Sequence, residues 1–141
     1  MRNILIAMLL LFSSSLAEAQ ETGPSAPDRT AIRDVISHQI QAFQHDDAAA
    51  AFSFASPSIQ RLMGTPENFL SLVRGHYQPV YRPRSTAFGR LAEQDGQLVQ
   101  EVDVVGPDGL GVQALYSMEK QADGTWRISG CELTAPTSVG T

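Results

Sequence analysis

The side chains best suited to chemistry are concentrated in residues 75–83, a stretch that also contains two prolines. His76 is the first candidate for proton transfer or ligand binding, because imidazole changes charge near neutral pH. Tyr77 and Tyr81 each join an apolar ring to a hydroxyl that can donate or accept a hydrogen bond. Arg82 can bind a carboxylate through two parallel hydrogen bonds. The stretch therefore predicts either the edge of a ligand site or a structural junction.

Arg82 has two interpretations, and the residue types leave both open. Its guanidinium could hold a carboxylate of the protein, with Glu132 and Asp103 as candidates, or the carboxylate of a ligand. The structural pair is the simpler interpretation, since an arginine that fixes a helix-to-sheet junction needs no ligand to explain it. Tyr116 is likewise typical of a core residue whose hydroxyl finds a partner, although it could serve a pocket.

The other reactive residue types show no catalytic or metal-binding spacing. His38 and His45 fall opposite the apolar stripe of a predicted helix, so we expect both to face water. There is no recognisable set of metal ligands, Gly-rich phosphate loop or nucleophile elbow. Cys131 is the only cysteine and is best interpreted as a small buried hydrophobe, with an intermolecular disulfide or a reactive thiol as alternatives. We expect no metal and no cofactor.

The first part of the chain has the pattern of several helices. A long first helix is predicted from a cap at Asp28 or Thr30 to about residue 45, and a short alanine-rich helix continues to Phe54. Ser56-Pro57 and Thr65-Pro66 predict two further helices, because a hydroxyl cap followed by proline suits the first helical turn. The apolar stripe of the first helix comprises Ile32, Val35, Ile36, Ile40 and Phe43.

The second part, from residue 81 to residue 133, predicts a four-stranded antiparallel meander. Asp-Gly supplies the positive φ that tight hairpin turns require. Three such pairs separate four runs able to form strands, and the chain is expected to enter the sheet directly after the prolines at 79 and 83. The pairs are Asp95-Gly96, Asp108-Gly109 and Asp123-Gly124.

Alternation along the predicted strands assigns side chains to the two faces of the sheet. Tyr116 and Trp126 fall on the face toward the helices, whereas Glu101 and Asp103 point away from it. The outer face is expected to carry an apolar patch that a second copy of the chain could cover, so a homodimer is predicted through that face. The patch comprises Leu115, Cys131 and Leu133.

Composition and the N-terminus point to an exported protein of one domain. Arg2, an apolar run over residues 4–12 and the small residues around Ala19 predict a signal peptide at 1–19, cleaved after Ala19. The apolar run is shorter than the roughly 20 residues of a membrane span, so a retained anchor is the weaker alternative. A flexible leader (20–27), a single α+β domain (28–134) and a disordered tail (135–141) are expected to follow, in the periplasm or secreted and without membrane contact.

The charge of the chain argues against nucleic acid as a partner. The formal net charge is −5, Lys120 is the only lysine, and the arginines are scattered. Phosphate contacts need clustered basic side chains. We therefore expect no nucleic-acid binding.

The order of helices and strands resembles the cone-shaped fold of the nuclear transport factor 2-like (cystatin-like) superfamily. More specifically, the chain resembles an exported bacterial family catalogued as a domain of unknown function, number 4864, over about residues 33–133. The residues that carry the likeness are 54–57, 79–83 and 123–131. The resemblance implies helices packed on a curved sheet and a conical cavity between them. It implies no activity and no catalytic residues.

Together these observations predict a binding or interaction module with an apolar cavity that takes an apolar or carboxylate small molecule. His76 and Arg82 are expected at its edge. An isomerase- or hydrolase-like enzyme that uses a cavity His or Tyr is the first alternative, and it requires a carboxylate inside the cavity. A structural dimeric accessory protein is the second alternative. The predicted lining comprises Phe43, Phe69, Tyr77, Tyr81, Tyr116 and Trp126.

Overall fold

The computed structural model describes residues 23–135, which form five helices followed by four strands. The predicted signal peptide with its cleavage site at Ala19, the start of the leader, and the tail beyond residue 135 lie outside the described residues. The elements in chain order are α1 (Ala26–Gln44), α2 (Ala48–Ser53), α3 (Pro57–Met63), α4 (Pro66–His76), α5 (Gln78–Tyr81), β1 (Ser85–Gln94), β2 (Gln97–Val105), β3 (Gly111–Lys120) and β4 (Trp126–Thr134).

Side-chain caps explain where most helices begin. Asp47, Ser56 and Thr65 each accept a backbone N–H bond at the start of α2, α3 and α4, as the sequence predicts. The start of α1 differs from the prediction, because Ser25 and not Asp28 or Thr30 is the cap. Ser25 Oγ accepts from the Asp28 N–H at 3.2 Å, so two residues expected in the leader are helical.

The junction between helices and sheet contains one more helical turn than predicted. The chain was expected to enter the sheet near Tyr81, but residues 78–81 form α5 and the first strand begins at Ser85. Pro79 lies in the first turn of α5, where its missing N–H costs nothing. The extra turn brings Tyr81 into the core and leaves Arg82 at the end of α1.

The four strands form one antiparallel sheet in the order β1-β2-β3-β4, which confirms the predicted meander. Asp95 and Gly96 both have positive φ, at 51° and 79°, as a two-residue hairpin turn requires. Val102 and Tyr116 are buried against the helices, whereas Asp103 is exposed on the outer face. The predicted direction of the acidic side chains of the second strand is therefore confirmed.

A bulge interrupts the pairing of β3 with β4. Tyr116 pairs with Cys131, but Met118 pairs with Ile128, so Ser129 is an extra residue in β4. Directly paired residues of antiparallel strands point to the same face. Cys131 consequently lies on the face of Tyr116, the face that carries the core.

The bulge corrects the predicted outer patch. Leu133 pairs with Ala114 on the inner face, and both Leu133 and Cys131 pack against the core. The prediction that put them outside was wrong because it extended strict alternation through β4. Only Leu115 of the proposed patch stays on the outer face, and homodimerisation stays a prediction.

The helices cover the inner face through a continuous apolar core. Ile32, Ile36 and Phe43 of α1 are almost fully buried, as their stripe predicts. The segment between α2 and α3 adds to the edge of β4, where Ser56 N–H donates to Ile128 O and Ile128 N–H donates to Phe54 O, both at 2.8 Å. These bonds fix the start of α3 beside the bulge.

Candidate functional site

A cavity of about 280 Å³ lies between the helices and the part of the sheet that contains the bulge. Its walls are mainly apolar side chains of α1, α3 and α4, with the buried Gln39 of α1 among them, and its floor is formed by β3 and β4. The wall residues include Phe43, Ile59, Leu62, Met63, Phe69 and Val73, and the floor residues are Tyr116, Ile128, Ser129, Gly130 and Cys131.

Tyr116 is the most deeply buried polar residue of the floor, with 1% of its surface exposed. Its hydroxyl oxygen has no oxygen or nitrogen partner among the described residues, and the Cys131 thiol beside it offers only a weak sulfur contact. Burial raises the pKa of Tyr116 well above its ordinary value, and the neighbouring Cys131 acts in the same direction. The hydroxyl is therefore protonated at physiological pH and keeps an unused donor.

Ser129 brings a second unused hydroxyl to the floor. It is the extra residue of the bulge, it lines the cavity, and its Oγ is buried without a partner among the described residues. Ser129 was not among the site residues predicted from the sequence. A signal was present, because an isolated glycine such as Gly130 within a strand pattern often marks a bulge.

Cys131 completes the polar part of the floor. Its thiol lines the cavity, and burial, followed by the charge of Glu132, raises its pKa to about 12. Such a thiol is almost entirely protonated at neutral pH. The geometry fits the prediction of a small buried hydrophobe and offers no activated nucleophile.

Gln100 carries a third buried polar atom without a partner, its Oε1. Its amide nitrogen donates to the backbone oxygens of Glu101, Gly89 and Arg90 at 2.9, 3.2 and 3.4 Å. The bonds to Gly89 and Arg90 tie β2 to the irregular part of β1. Gln100 pairs with Tyr116 but does not line the cavity, so its role is structural.

The structure divides the six predicted binding residues. Tyr77 and Tyr116 line the cavity, together with Phe43 and Phe69 of the predicted lining. The four others lie outside the lining of this cavity. They are His76, which is exposed at the end of α4, Tyr81, Arg82 and Trp126.

Tyr81 and Arg82 belong to a separate cluster that we call the junction: Tyr81, Arg82, Asp46 and the backbone oxygen of Phe43. The Tyr81 hydroxyl donates to Asp46, and Arg82 donates to the Phe43 oxygen and, at 2.9 Å, to Asp46. The Arg82 guanidinium also stacks 4.2 Å from the centre of the Tyr81 ring. The Tyr81 hydroxyl and then Arg82 hold the pKa of Asp46 below its usual value.

The junction decides between the partners considered for Arg82. Among the described residues its carboxylate partner is Asp46, not Glu132 or Asp103. Sequence reasoning missed Asp46 because it lies 36 positions away and its positive φ, 51°, places it in the turn after α1. The contacts are those of the structural interpretation, which ties the end of α1 to the start of the sheet.

Trp126 forms a similar link at the other end of α1. Its Nε1 donates to Asp28 Oδ1 at 3.1 Å, and Lys120 approaches the same oxygen at 3.3 Å. The Trp126 bond is the main reason that the pKa of Asp28 is lowered. A wider surface cleft of about 760 Å³ beside Trp126 is lined by both basic and acidic side chains, Arg90 and Glu93 among them.

The cavity contains no charged side chain among the described residues that line it. Asp103 and Glu132 are exposed, so the carboxylate that the enzyme alternative requires is not found beside Tyr116. Within residues 23–135, no three His, Cys, Asp or Glu side chains are grouped as metal ligands. Over the same residues, no helix has the length and apolar character needed to cross a bilayer.

Comparison with known proteins gives a family and a structural relative. A family model described as "Domain of unknown function (DUF4864)" matches residues 25–141. No curated protein matches the sequence. An NTF-2 like protein of unknown function from Burkholderia xenovorans LB400 is similar in structure, with a TM-score of 0.48 and 16% sequence identity, and the alignment covers 79% of this chain and 89% of that chain.

Proposed function

This chain belongs to the family described as domain of unknown function DUF4864, and from that premise we propose that it binds a small apolar molecule in the cavity between its helices and its sheet. The observation that carries the proposal is a cavity whose lining is mainly apolar, with polar groups only at Gln39 and Tyr77 of the walls and at Tyr116, Ser129 and Cys131 of the floor. Binding pockets are typically apolar with a few polar groups that orient the ligand.

The volume of the cavity limits the size of the ligand. A purely apolar cavity of about 150 Å³ in another protein stays dry and binds benzene. The present cavity, at about 280 Å³, is at the small end of the range for ligand pockets, which begins near 300 Å³. We infer a ligand larger than one benzene ring and smaller than a steroid.

Exposed apolar side chains at α3 and α4 support entry from that side. Leu62 is 78% exposed and Leu72 is 38% exposed, although both also line the cavity. The helix α3 has no buried residue and is followed by Gly64, whose φ is 80°. These features favour α3 as the part of the wall that admits the ligand.

The proposal includes a location outside the cytoplasm, in the periplasm or secreted. Its support is the sequence pattern of residues 1–19, with cleavage after Ala19. The N-terminal sequence of the mature protein, isolated from an expressing bacterium, tests this part separately. A protein that keeps residues 1–19 would contradict it.

Binding can be tested by nuclear magnetic resonance with labelled methyl groups and ethylbenzene as the probe. We expect saturable shifts at the methyls of Ile59, Val73 and Ile128, because all three line the cavity. Leu110, which is 66% exposed and lies outside the lining, serves as the reference methyl. Shifts that grow linearly without saturation, or that are equal at Leu110, would contradict a specific site.

A blocking variant gives the matched control. Ile59→Trp places a larger side chain at the wall formed by α3 and should abolish the saturable shifts. Leu110→Trp makes the same kind of change outside the cavity and should leave them unchanged. Equal binding by both variants would show that ethylbenzene binds elsewhere.

A further inference from the structure

We propose that the ligand carries an uncharged carbonyl group, whose oxygen accepts a hydrogen bond from Tyr116 with Ser129 as a second donor. This inference rests on the proposed function and names the chemical class of the molecule that the cavity takes. Two hydroxyls with no assigned partner, on neighbouring strands of the cavity floor, carry it.

The unused hydroxyls are unusual enough to require an explanation. Most buried polar groups in proteins have hydrogen-bond partners, and an unsatisfied one costs about 1–3 kcal/mol. Tyr116 Oη and Ser129 Oγ are both buried without a partner among the described residues, and both residues line the same cavity. A phenylalanine and an alanine at these positions would avoid the cost. The hydroxyls therefore fit a bound acceptor better than a filled core.

The acceptor is a carbonyl because two residues of the cavity floor carry hydroxyl donors without an assigned partner. A carbonyl oxygen has two lone pairs, so one group can accept from both hydroxyls. Tyr116 is protonated at physiological pH, since burial and Cys131 raise its pKa well above the ordinary value. A ligand hydroxyl would also have to place its own proton, for which the lining offers the weakly accepting Cys131 thiol and the amide oxygen of Gln39, so 1-phenylethanol is the competing probe in the test below.

The carbonyl compound is uncharged because nothing in the cavity would stabilise a charge. No Lys, Arg or His lines it among the described residues, and Arg82 is already bonded to Asp46 and the Phe43 oxygen outside it. An isolated ion buried in apolar surroundings is strongly disfavoured. A ketone, aldehyde, ester or amide meets these conditions, and a carboxylate does not.

Four monosubstituted benzenes of similar size test the inference: ethylbenzene, 1-phenylethanol, acetophenone and benzoate. Their dissociation constants would be measured by the methyl titration described above. We expect acetophenone to bind about tenfold more tightly than ethylbenzene, which corresponds to about one net hydrogen bond. Benzoate should bind most weakly.

Three variants assign the advantage of acetophenone to particular hydroxyls. Tyr116→Phe should abolish it and leave the binding of ethylbenzene unchanged, and Ser129→Ala should reduce it in part. Tyr81→Phe removes a tyrosine hydroxyl that bonds Asp46 outside the lining of the cavity, and should leave the advantage of acetophenone unchanged. Infrared spectra of carbonyl-labelled acetophenone should show a lowered stretching frequency in the wild type that Tyr116→Phe reverses.

The outcomes separate this inference from the proposed function. Equal binding of acetophenone and ethylbenzene, with no effect of Tyr116→Phe, would overturn the carbonyl assignment while the apolar site stands. If 1-phenylethanol bound most tightly, the ligand's polar group would not be a carbonyl. If benzoate bound most tightly, the inference that the ligand is uncharged would be wrong. Failure of all four probes to bind at the cavity methyls would overturn both proposals.

Discussion

Two buried tyrosines of this protein, Tyr81 in the junction and Tyr116 on the cavity floor, have opposite surroundings. Tyr81 is 7% exposed, and its hydroxyl donates to Asp46, which also holds Arg82. Tyr116 is 1% exposed, and its hydroxyl has no partner among the described residues. Both rings pack in the same apolar core.

The difference separates a structural cluster from a candidate binding site. In the junction the contacts of Tyr81 and Arg82 are made within the chain, so no ligand is needed to explain them. On the cavity floor the protein buries hydroxyls and leaves them unused, a cost that a bound acceptor would offset. The junction was indicated by aromatic and basic residues that are close together in sequence. The cavity floor depends on the pairing of β3 with β4.

The largest expected effect tests what the two tyrosines have in common. Tyr116→Ala and Tyr81→Ala should each lower the free energy of unfolding by about 3–5 kcal/mol, because each removes a buried ring. Urea denaturation of the purified variants measures this. A loss below about 1 kcal/mol for Tyr116→Ala would show that its ring does not stabilise the core.

The next largest effect is expected in the rate at which the Cys131 thiol of the cavity floor is alkylated. Because burial raises the pKa of Cys131 to about 12, its alkylation by iodoacetamide at about pH 8 should be roughly a hundredfold slower in the folded protein than in urea. Leu110→Cys in a Cys131→Ser background provides an exposed thiol as the control. Mass spectrometry follows both reactions. Equal rates for the two folded proteins would place the Cys131 thiol in water.

Local signals in the sequence predicted the helices and turns well. Ser56-Pro57 and Thr65-Pro66 mark helix starts because the cap and the proline act within one turn. Asp95-Gly96 marks a hairpin because the positive φ values belong to those two residues. The family and the α+β order of elements followed from these patterns and from the resemblance that they supported.

Features that depend on distant pairing were missed. Ser129 shifts the register of β4 only because β3 lies beside it, so alternation along one strand put Cys131 on the wrong face. The bond between Arg82 and Asp46 joins residues 36 positions apart and has no local signature. The cavity floor and the junction both arise from such pairings. The sequence therefore indicated which aromatic residues lie near the core, but not which of them line the cavity and which form bonds outside it.

Removal of only the hydroxyl from each tyrosine should change the free energy of unfolding less than removal of the ring does. Tyr81→Phe should lower the free energy of unfolding by a small but measurable amount, because the hydroxyl loses its bond to an exposed carboxylate. Tyr116→Phe should leave it unchanged or raise it, because the buried hydroxyl has no bond to lose. Paired urea denaturations measure both. A loss for Tyr116→Phe equal to that for Tyr81→Phe would mean that the cavity hydroxyl has a partner within the protein.

The smallest effect is the pH dependence of the difference between wild type and Tyr81→Phe. The Tyr81 hydroxyl is the main cause, and Arg82 the second, of an Asp46 pKa below the ordinary 3.8, so the folded state favours the carboxylate. Stability from this bond is fully present above 3.8 and is lost as the pH falls through the folded pKa. The difference in unfolding free energy should therefore be largest near pH 6 and shrink toward about pH 3.

Two other carboxylates do not affect this difference. Asp28 and Asp123, whose pKa values are also lowered, are present in both proteins, so their contributions cancel. Tyr116→Phe should show no such trend, and a Tyr81→Phe difference that stays constant on acidification would remove Asp46 from the junction.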